Sequence, residues 1–286
     1  MKKKILITGA AGYIGSSLAT ELVRLNYEVV AVDILKYDQG SLSHLHYFKN
    51  FKFIKADITK PSIVKKIAKG CHYIIPLAAM VGAPLCEKFK KETKKINIGS
   101  IKLLLRYLKK NQKIIYPTTN SGYGIGDKNK YCDENSPLRP ISLYGVTKLK
   151  AEQLILDRGN SVCFRLATIF GYSYRMRTDL LVNNFVEKSV NSGRLDIFEP
   201  HFRRNFVHIR DVVSSFIFAI ENFSKVKNNI FNLGLSSANI TKIMLAKKIK
   251  KEVKNLKIKL IKGVKDPDQR DYYVSNKKIE KAGFKA

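Results

Sequence analysis

Apolar residues along this chain fall into short continuous runs separated by longer amphipathic stretches. The first run, Ile5 to Ile7, stops at Thr8-Gly9, as a strand buried on both faces would. Ile14, Leu18, Leu22 and Leu25 follow at helical spacing. EVVAVD (28–33), FKFIKAD (51–57), HYIIPLAAM (72–80) and KIIYPTT (113–119) predict four more strands, two of them ending in an acid. Residues 62–69 and 93–110 predict helices between them. Alternation of this kind implies a parallel sheet covered on both faces by helices.

After about residue 170 the alternation weakens. A short strand at LDIFE (195–199) and helices over 178–192 and 241–254 are expected there. No repeat, low-complexity tract or linker intervenes. The expectation is an α/β fold: a doubly wound parallel-sheet domain (1–170 with about 205–232) and a smaller mixed α/β domain (about 171–204 and 233–286) packed directly against it.

Composition narrows the classes. With 45% hydrophobic and 10% aromatic residues among 286, wholesale disorder is excluded. Cys71, Cys86, Cys132 and Cys163 form no CxxC or Cys/His cluster, so neither a metal site nor a disulfide framework is expected, and a reducing, cytoplasmic setting suits them. The longest apolar stretch, 73–86, contains two prolines and is too short to cross a bilayer, so no membrane partner is expected. Net charge is +30, with lysine clusters at 2–4, 88–95 and 247–259. Because Phe89 is the one aromatic among those lysines, too little for base stacking, the clusters read as solvated faces and no nucleic-acid partner is expected.

The opening MKKKILITGAAGYIG admits two readings: a basic and apolar secretory leader, or strand, glycine loop and helix. Downstream residues favour the second. Gly9 permits a tight turn off the strand, Gly12 lets backbone N–H groups approach a pyrophosphate, and Gly15 lets helix and strand pack closely. Asp33 ends the next strand, where a carboxylate can accept both hydroxyls of an adenine ribose and repel a 2′-phosphate, so NAD is expected rather than NADP. Asp57, ending the third strand, would lie near the adenine edge or form a turn before Thr59.

Tyr144-Gly145-Val146-Thr147-Lys148 carries the strongest chemistry. Tyrosine and lysine four apart share one helix face, and an ammonium beside a phenol favours phenolate, bringing a group of ordinary pKa about 10 towards use as a base. The fifth strand runs into Thr118-Thr119-Asn120-Ser121-Gly122-Tyr123-Gly124, putting hydroxyls at the carboxyl end of the sheet, where doubly wound folds hold ligands.

Taken in order, TGAAGYIG, Asp33, Asp57, PLAAM, Asn97 in NIGS, TTNSGYG, YGVTK and RRNFVHIRDV resemble the signatures of extended short-chain dehydrogenases/reductases. Specifically, the chain resembles the UDP-glucose 4-epimerase-like branch of the NAD-dependent epimerase/dehydratase family, from about residue 3 to about 280. The resemblance implies a Rossmann domain holding NAD through Gly9, Gly12, Tyr13, Ile14, Gly15, Asp33, Asp57, Ile58, Leu77, Ala78, Ala79, Thr118, Tyr144 and Lys148. It implies Tyr144 as catalytic base and acid, Lys148 as its partner on the nicotinamide ribose, and Thr119 on the reacting sugar oxygen. Asn97 would help to organise the site or make a contact internal to its helix. Asn183, Asn184, Arg204 and Arg270 correspond to contacts with a nucleotide-sugar diphosphate; His208 and Asp211 read as structural, at a helix start.

Departures from the family pattern bear on the reaction. Pro76, Thr168 and Asn205 stand where other residues are usual, and Asn120-Ser121 replaces the Asp-Glu pair of sugar-nucleotide 4,6-dehydratases, leaving no acid and base to eliminate water. The expectation is a nucleotide-sugar 4-epimerase. The alternatives are a net 4-dehydrogenase or reductase on a GDP- or CDP-linked sugar or heptose and, more remotely, a non-enzymatic NAD-sensing or RNA-binding protein. A homodimer is expected through helices 93–110 and 144–158, which carry Leu149, Leu154 and Ile155.

Overall fold

The five expected apolar runs become strands, and two further strands that the apolar pattern did not single out join them in the same sheet. In the computed structural model, which describes residues 3–37, 40–126, 130–261, 263 and 271–286, these are β1 (Lys4–Thr8), β2 (Glu28–Asp33), β3 (Phe51–Lys55), β4 (Tyr73–Pro76), β5 (Lys113–Thr119), β6 (Ser161–Leu166) and β7 (Asn229–Leu233). Among the described residues they form one parallel sheet in the order β7-β6-β5-β4-β1-β2-β3. The order reverses beside β1, which opens a crevice at the carboxyl ends of β1 and β4. β3 lies at the edge, with Lys52 and Lys55 exposed, a pattern that discourages further pairing.

Side-chain alternation sorts the helices onto two faces. Ile5, Ile7 and Val29 pack with Leu18 and Leu22 of α1 (Tyr13–Arg24). Leu6, Val30 and Ile74 face the other way, onto Val64 and Ile67 of α2 (Pro61–Ala68) and Leu104 of α3 (Ser100–Tyr107). α4 (Leu143–Arg158) joins that second face through Ala151 and Ile155. Leu149 and Leu154 are half-buried, but Ile155 lies in the protein's own core and so drops out as a dimer contact.

A separate apolar cluster lies beyond β6. It joins Val182 and Phe185 of α5 (Leu181–Ser192), Leu195 and Ile197 of the strand Arg194–Phe198, and Leu245 and Ile249 of α7 (Lys242–Glu252). Between α5 and α7, α6 (Ile209–Glu221) packs back on α1 and the main sheet. Strands at Thr168–Phe170, Arg203–His208 and Asn239–Thr241 form a small sheet, and Arg194–Phe198 pairs in parallel with Lys257–Ile261. Several of these strands are too short to be read from periodicity.

Two expected elements differ. The fourth strand stops at Pro76 rather than running to Met80, because residues 77–79 leave the sheet to line the crevice. The expected helix over 93–110 is interrupted at Lys95–Gly99 by a turn of π-helix.

Phe164 of β6 is buried against Phe216 of α6 at 5.6 Å and Phe231 of β7 at 6.3 Å between ring centroids. Phe164→Ala is expected to cost about 3–5 kcal/mol, read from urea unfolding; a loss under about 1 kcal/mol would show that this core collapses around the gap.

Candidate active site

The glycine loop is fixed by backbone packing. Gly9 has φ +70°, and a Cβ there would lie 2.5 Å from the Ala78 nitrogen. At Gly15 a Cβ would run into the Gly9 carbonyl. β1, the segment after β4 and the start of α1 therefore meet closer than any side chain allows. Gly9 N–H donates to the Val32 carbonyl at 2.8 Å, tying the loop to β2. The Asp33 carboxylate then accepts the N–H of Ala11 at 3.0 Å and of Leu35 at 2.8 Å, so it braces the loop as well as ending the strand.

At the end of β5, Thr119 Oγ1 accepts the Ser121 N–H at 3.1 Å and lies 2.8 Å from Ser121 Oγ, capping the turn Asn120–Tyr123. The N-terminus of α4 packs on this turn: a Cβ at Gly145 would lie 3.5 Å from the Ser121 carbonyl oxygen. Tyr144 is thereby held beside Thr119's turn, half-buried, while Lys148 on the same helix face is buried with its Nζ 4.0 Å from the centre of the Tyr116 ring. Burial pushes the pKa of the Lys148 ammonium down to about 7, against the favourable field of Glu152.

Asn97, in the π-helical turn, is the brace between these halves. Its Oδ1 accepts the Met80 N–H at 2.8 Å, and its Nδ2 donates to the Met80 carbonyl at 3.0 Å and to Thr147 Oγ1 at 3.1 Å. Thr147 in turn donates to the Tyr144 carbonyl at 3.0 Å. Among the described residues, the buried amide of Asn120 and the hydroxyl of Thr118 find no hydrogen-bond partner. Buried polar atoms of this kind mark places for water or ligand.

Other expected residues take varied places. Asp57 forms a turn, its Oδ1 accepting the Thr59 N–H at 2.8 Å, and Ile58 packs under the β2–β3 side of the sheet. Leu77, Ala78 and Ala79 are half-buried at the crevice. Asn183 is buried and fully engaged: it accepts from Gly171 N–H at 3.0 Å and donates to the Arg177 carbonyl at 2.9 Å and the Tyr13 hydroxyl at 3.3 Å. Tyr13 donates to the Gly171 carbonyl at 2.6 Å, and burial raises its pKa. Asn184 is half-buried on α5; Arg204 is buried, donating to the Arg203 carbonyl at 2.8 Å. Arg270 lies outside the described residues. His208 caps α6, accepting the Arg210 N–H at 3.2 Å, and Asp211 stands in that helix's first turn.

Sequence reasoning did not single out Arg177. Burial works against its charge, but its pairing with Asp179 and the fields of the Tyr144 and Tyr13 phenols hold its pKa above the usual value. Its guanidinium therefore stands within electrostatic reach of Tyr144. Only the fold could reveal this, since the arginine comes from the irregular stretch before α5. Among the described residues, no three of His, Cys, Asp and Glu gather as a metal site, and no helix is long and apolar enough to cross a membrane.

The model of the NAD dependent epimerase/dehydratase family matches residues 5–234. The chain belongs to this family. Relatives include the CDP-paratose 2-epimerase of Salmonella typhi, 28% identical over 98% of this chain and 93% of its own length. The UDP-glucose 4-epimerase of Lactobacillus helveticus is 26% identical over 86% of this chain and 81% of its own. Among solved structures, UDP-glucuronic acid 4-epimerase from Bacillus cereus, in complex with UDP-glucuronic acid and NAD, superposes with a TM-score of 0.85 at 26% identity, covering 98% of this chain and 92% of that one.

NAD fits the residues present. The N-cap of α1 is Gly12, with no side-chain cap and no acid in the first turn, so the helix start is open to a pyrophosphate. Asp33 stands at the end of β2, where a carboxylate could meet an adenosine ribose, and residues 77–79 form a thin wall beside the loop.

Two outcomes follow from this geometry. Gly9→Ala, with both a left-handed φ and a backbone collision, is expected to abolish NAD binding in calorimetry; retained affinity would mean that the loop can move off Ala78. Lys148 supplies a pH test. An unfolded lysine titrates near 10.4 and the folded one near 7, so within that window the unfolded chain binds the extra proton and wild-type stability rises with pH. Lys148→Met lacks this penalty. Its stability gain over wild type, measured by urea unfolding, should be largest at and below pH 7 and fade towards pH ~10; a pH-independent difference would contradict it.

Proposed function

We propose that the protein is an NAD-dependent nucleotide-sugar 4-epimerase. The observation that carries this reading is the packing of α4, whose one face bears Tyr144 and Lys148, through Gly145 and Leu149 against the turn that Thr119 caps at the carboxyl end of the sheet. Relatives that are nucleotide-sugar epimerases support the substrate class and reaction type.

The glycine loop and Asp33 would hold NAD, which when bound would supply the acceptor for the hydride of the sugar's C4 and the donor for its return to the opposite face. Tyr144 removes the C4 hydroxyl proton as the 4-keto sugar forms, and returns a proton to the oxygen afterwards. Thr119 holds that oxygen by a hydrogen bond. Lys148, as an ammonium, stabilises the phenolate of Tyr144 and binds the nicotinamide ribose. Arg177 adds a fixed positive charge facing the same phenol. Asn120 and Ser121 offer an amide and a hydroxyl at positions where elimination of water would require an acid and a base.

The smaller unit, with Asn184, Arg204 and Arg270, is the proposed seat of the nucleotide diphosphate. A chain of net charge +30 attracts so anionic a substrate over a long range. Asn183, already engaged by three protein groups, is proposed to shape the pocket rather than touch the diphosphate. A homodimer through α3 and α4 is also proposed, as is the cytoplasm, the compartment that four free thiols favour.

Purified protein should convert a UDP- or CDP-linked hexose to its C4 epimer with no net change in NAD redox state. Accumulation of NADH without an epimer would instead identify a net dehydrogenase. Tyr144→Phe should lose at least about 100-fold in kcat, a general acid–base contribution, while still binding NAD; unchanged turnover would remove Tyr144 from the chemistry.

A further inference from the structure

Behind the proposed catalytic residues lies a charged pair that no step of the reaction uses. Glu152, one turn beyond Lys148 on α4, and Arg165, on β6, are both almost wholly buried. Arg165 Nη2 donates to Glu152 Oε1 at 2.7 Å, and its Nε donates to Oε1 at 3.2 Å and Oε2 at 3.3 Å. A buried pair of this sort contributes little net stability, since apolar residues of the same volume would do as well or better. Stability alone therefore does not account for it.

Its connections suggest another role. Arg165 lies across from Thr118 in the β5–β6 register, next to the pair Thr119 and Leu166. From there Arg165 Nη1 donates to the Tyr123 hydroxyl at 3.2 Å and to the Glu134 carbonyl at 3.2 Å. Tyr123 closes the turn that begins at Thr119, and its hydroxyl donates to Asn232 Oδ1 on β7 at 2.6 Å. The Asn232 N–H donates to Glu134 Oε1 at 2.7 Å. One guanidinium thus ties together the strand next to β5, the turn after Thr119 and the helix of Tyr144 and Lys148.

We propose that Glu152 and Arg165 are positioning residues, locking the Thr119 turn to the Tyr144–Lys148 helix and setting a buried negative charge one turn from Lys148. The groups facing Lys148 are Tyr116 from β5, Cys163 from β6 and Glu152 from its own helix, and Tyr144 lies within electrostatic reach of Tyr116. Burial holds the Tyr116 phenol and the Cys163 thiol neutral at ordinary pH. The carboxylate of Glu152 is therefore the anion of this group, and it favours the ammonium form of Lys148.

The consequence for catalysis rests on the epimerase reading, but the electrostatic claim is read without substrate. The ε-carbon of Lys148 is followed by NMR through a pH titration of the NAD-free protein, in wild type and in Glu152→Gln. The Gln variant should titrate at least one pH unit lower, with kcat about tenfold lower and the alkaline limb of kcat/KM starting at lower pH. Because Glu152→Gln leaves Arg165 unpaired and risks misfolding, the paired variant Glu152→Leu/Arg165→Met, in which the buried charges are replaced together, is measured beside it. That variant should fold, titrate below wild type and turn over more slowly. A folded variant whose Lys148 midpoint matches wild type overturns the proposal, whatever its turnover. A lowered midpoint in a protein that epimerises no sugar would support the charge arrangement and count against the epimerase reading alone.

Discussion

The contact on which the site depends is between two stretches of backbone. Gly9 lies so close to Ala78 that the turn after β1 and the segment after β4 form a single wall, and the Gly9 carbonyl occupies the space above Gly15. A methyl group at either glycine would push strand, loop and helix apart. The opening of α1, the placing of Asp33 against Ala11 and the departure of residues 77–79 from the sheet all follow from this approach. The crevice at the strand reversal is general to doubly wound sheets; its width here is set by the absence of two side chains.

Lys148 illustrates how a fold can work against an individual residue. A buried ammonium over an aromatic ring, flanked by groups that burial keeps neutral, destabilises the folded chain near neutral pH. The surroundings limit that cost with Glu152, and the charge of Glu152 is balanced by Arg165. Each polar group inside the second face of the sheet thus requires the next, and the sequence of requirements ends at Tyr123 in the turn after β5 and Asn232 on the edge strand β7. Local instability at the site is held in place by the large apolar clusters around it.

Much of the main sheet was legible in the sequence, because a strand buried on both faces must be apolar throughout. EVVAVD and KIIYPTT coincide with β2 and β5 residue for residue. The small sheets were far less so: Thr168–Phe170 and Asn239–Thr241 have three residues each, too few to show a period. Tyr144, Lys148 and Thr119 could be read from their spacing because helix and strand geometry brings them to one place. Arg177 could not, because it reaches Tyr144 from an irregular segment. Asn183, Asn97 and Asp33 show the opposite limit: a polar residue is visible in a sequence, but whether its hydrogen bonds go to ligand or to protein depends on neighbours more than ten positions away.

The π-helical turn at Lys95–Gly99 leaves a record of its own. Such a turn holds one residue more than an α-helix needs to cover the same distance. Removing a single residue there would let the helix rewind regularly with its two flanks still close to their present faces, so the change would fall on the turn itself, where Asn97 sits. Asn97 could then no longer face Met80 and Thr147 at once. The surplus residue is therefore held by what Asn97 does with it: the flanks could lose it and keep their faces, but the brace to Met80 and Thr147 could not.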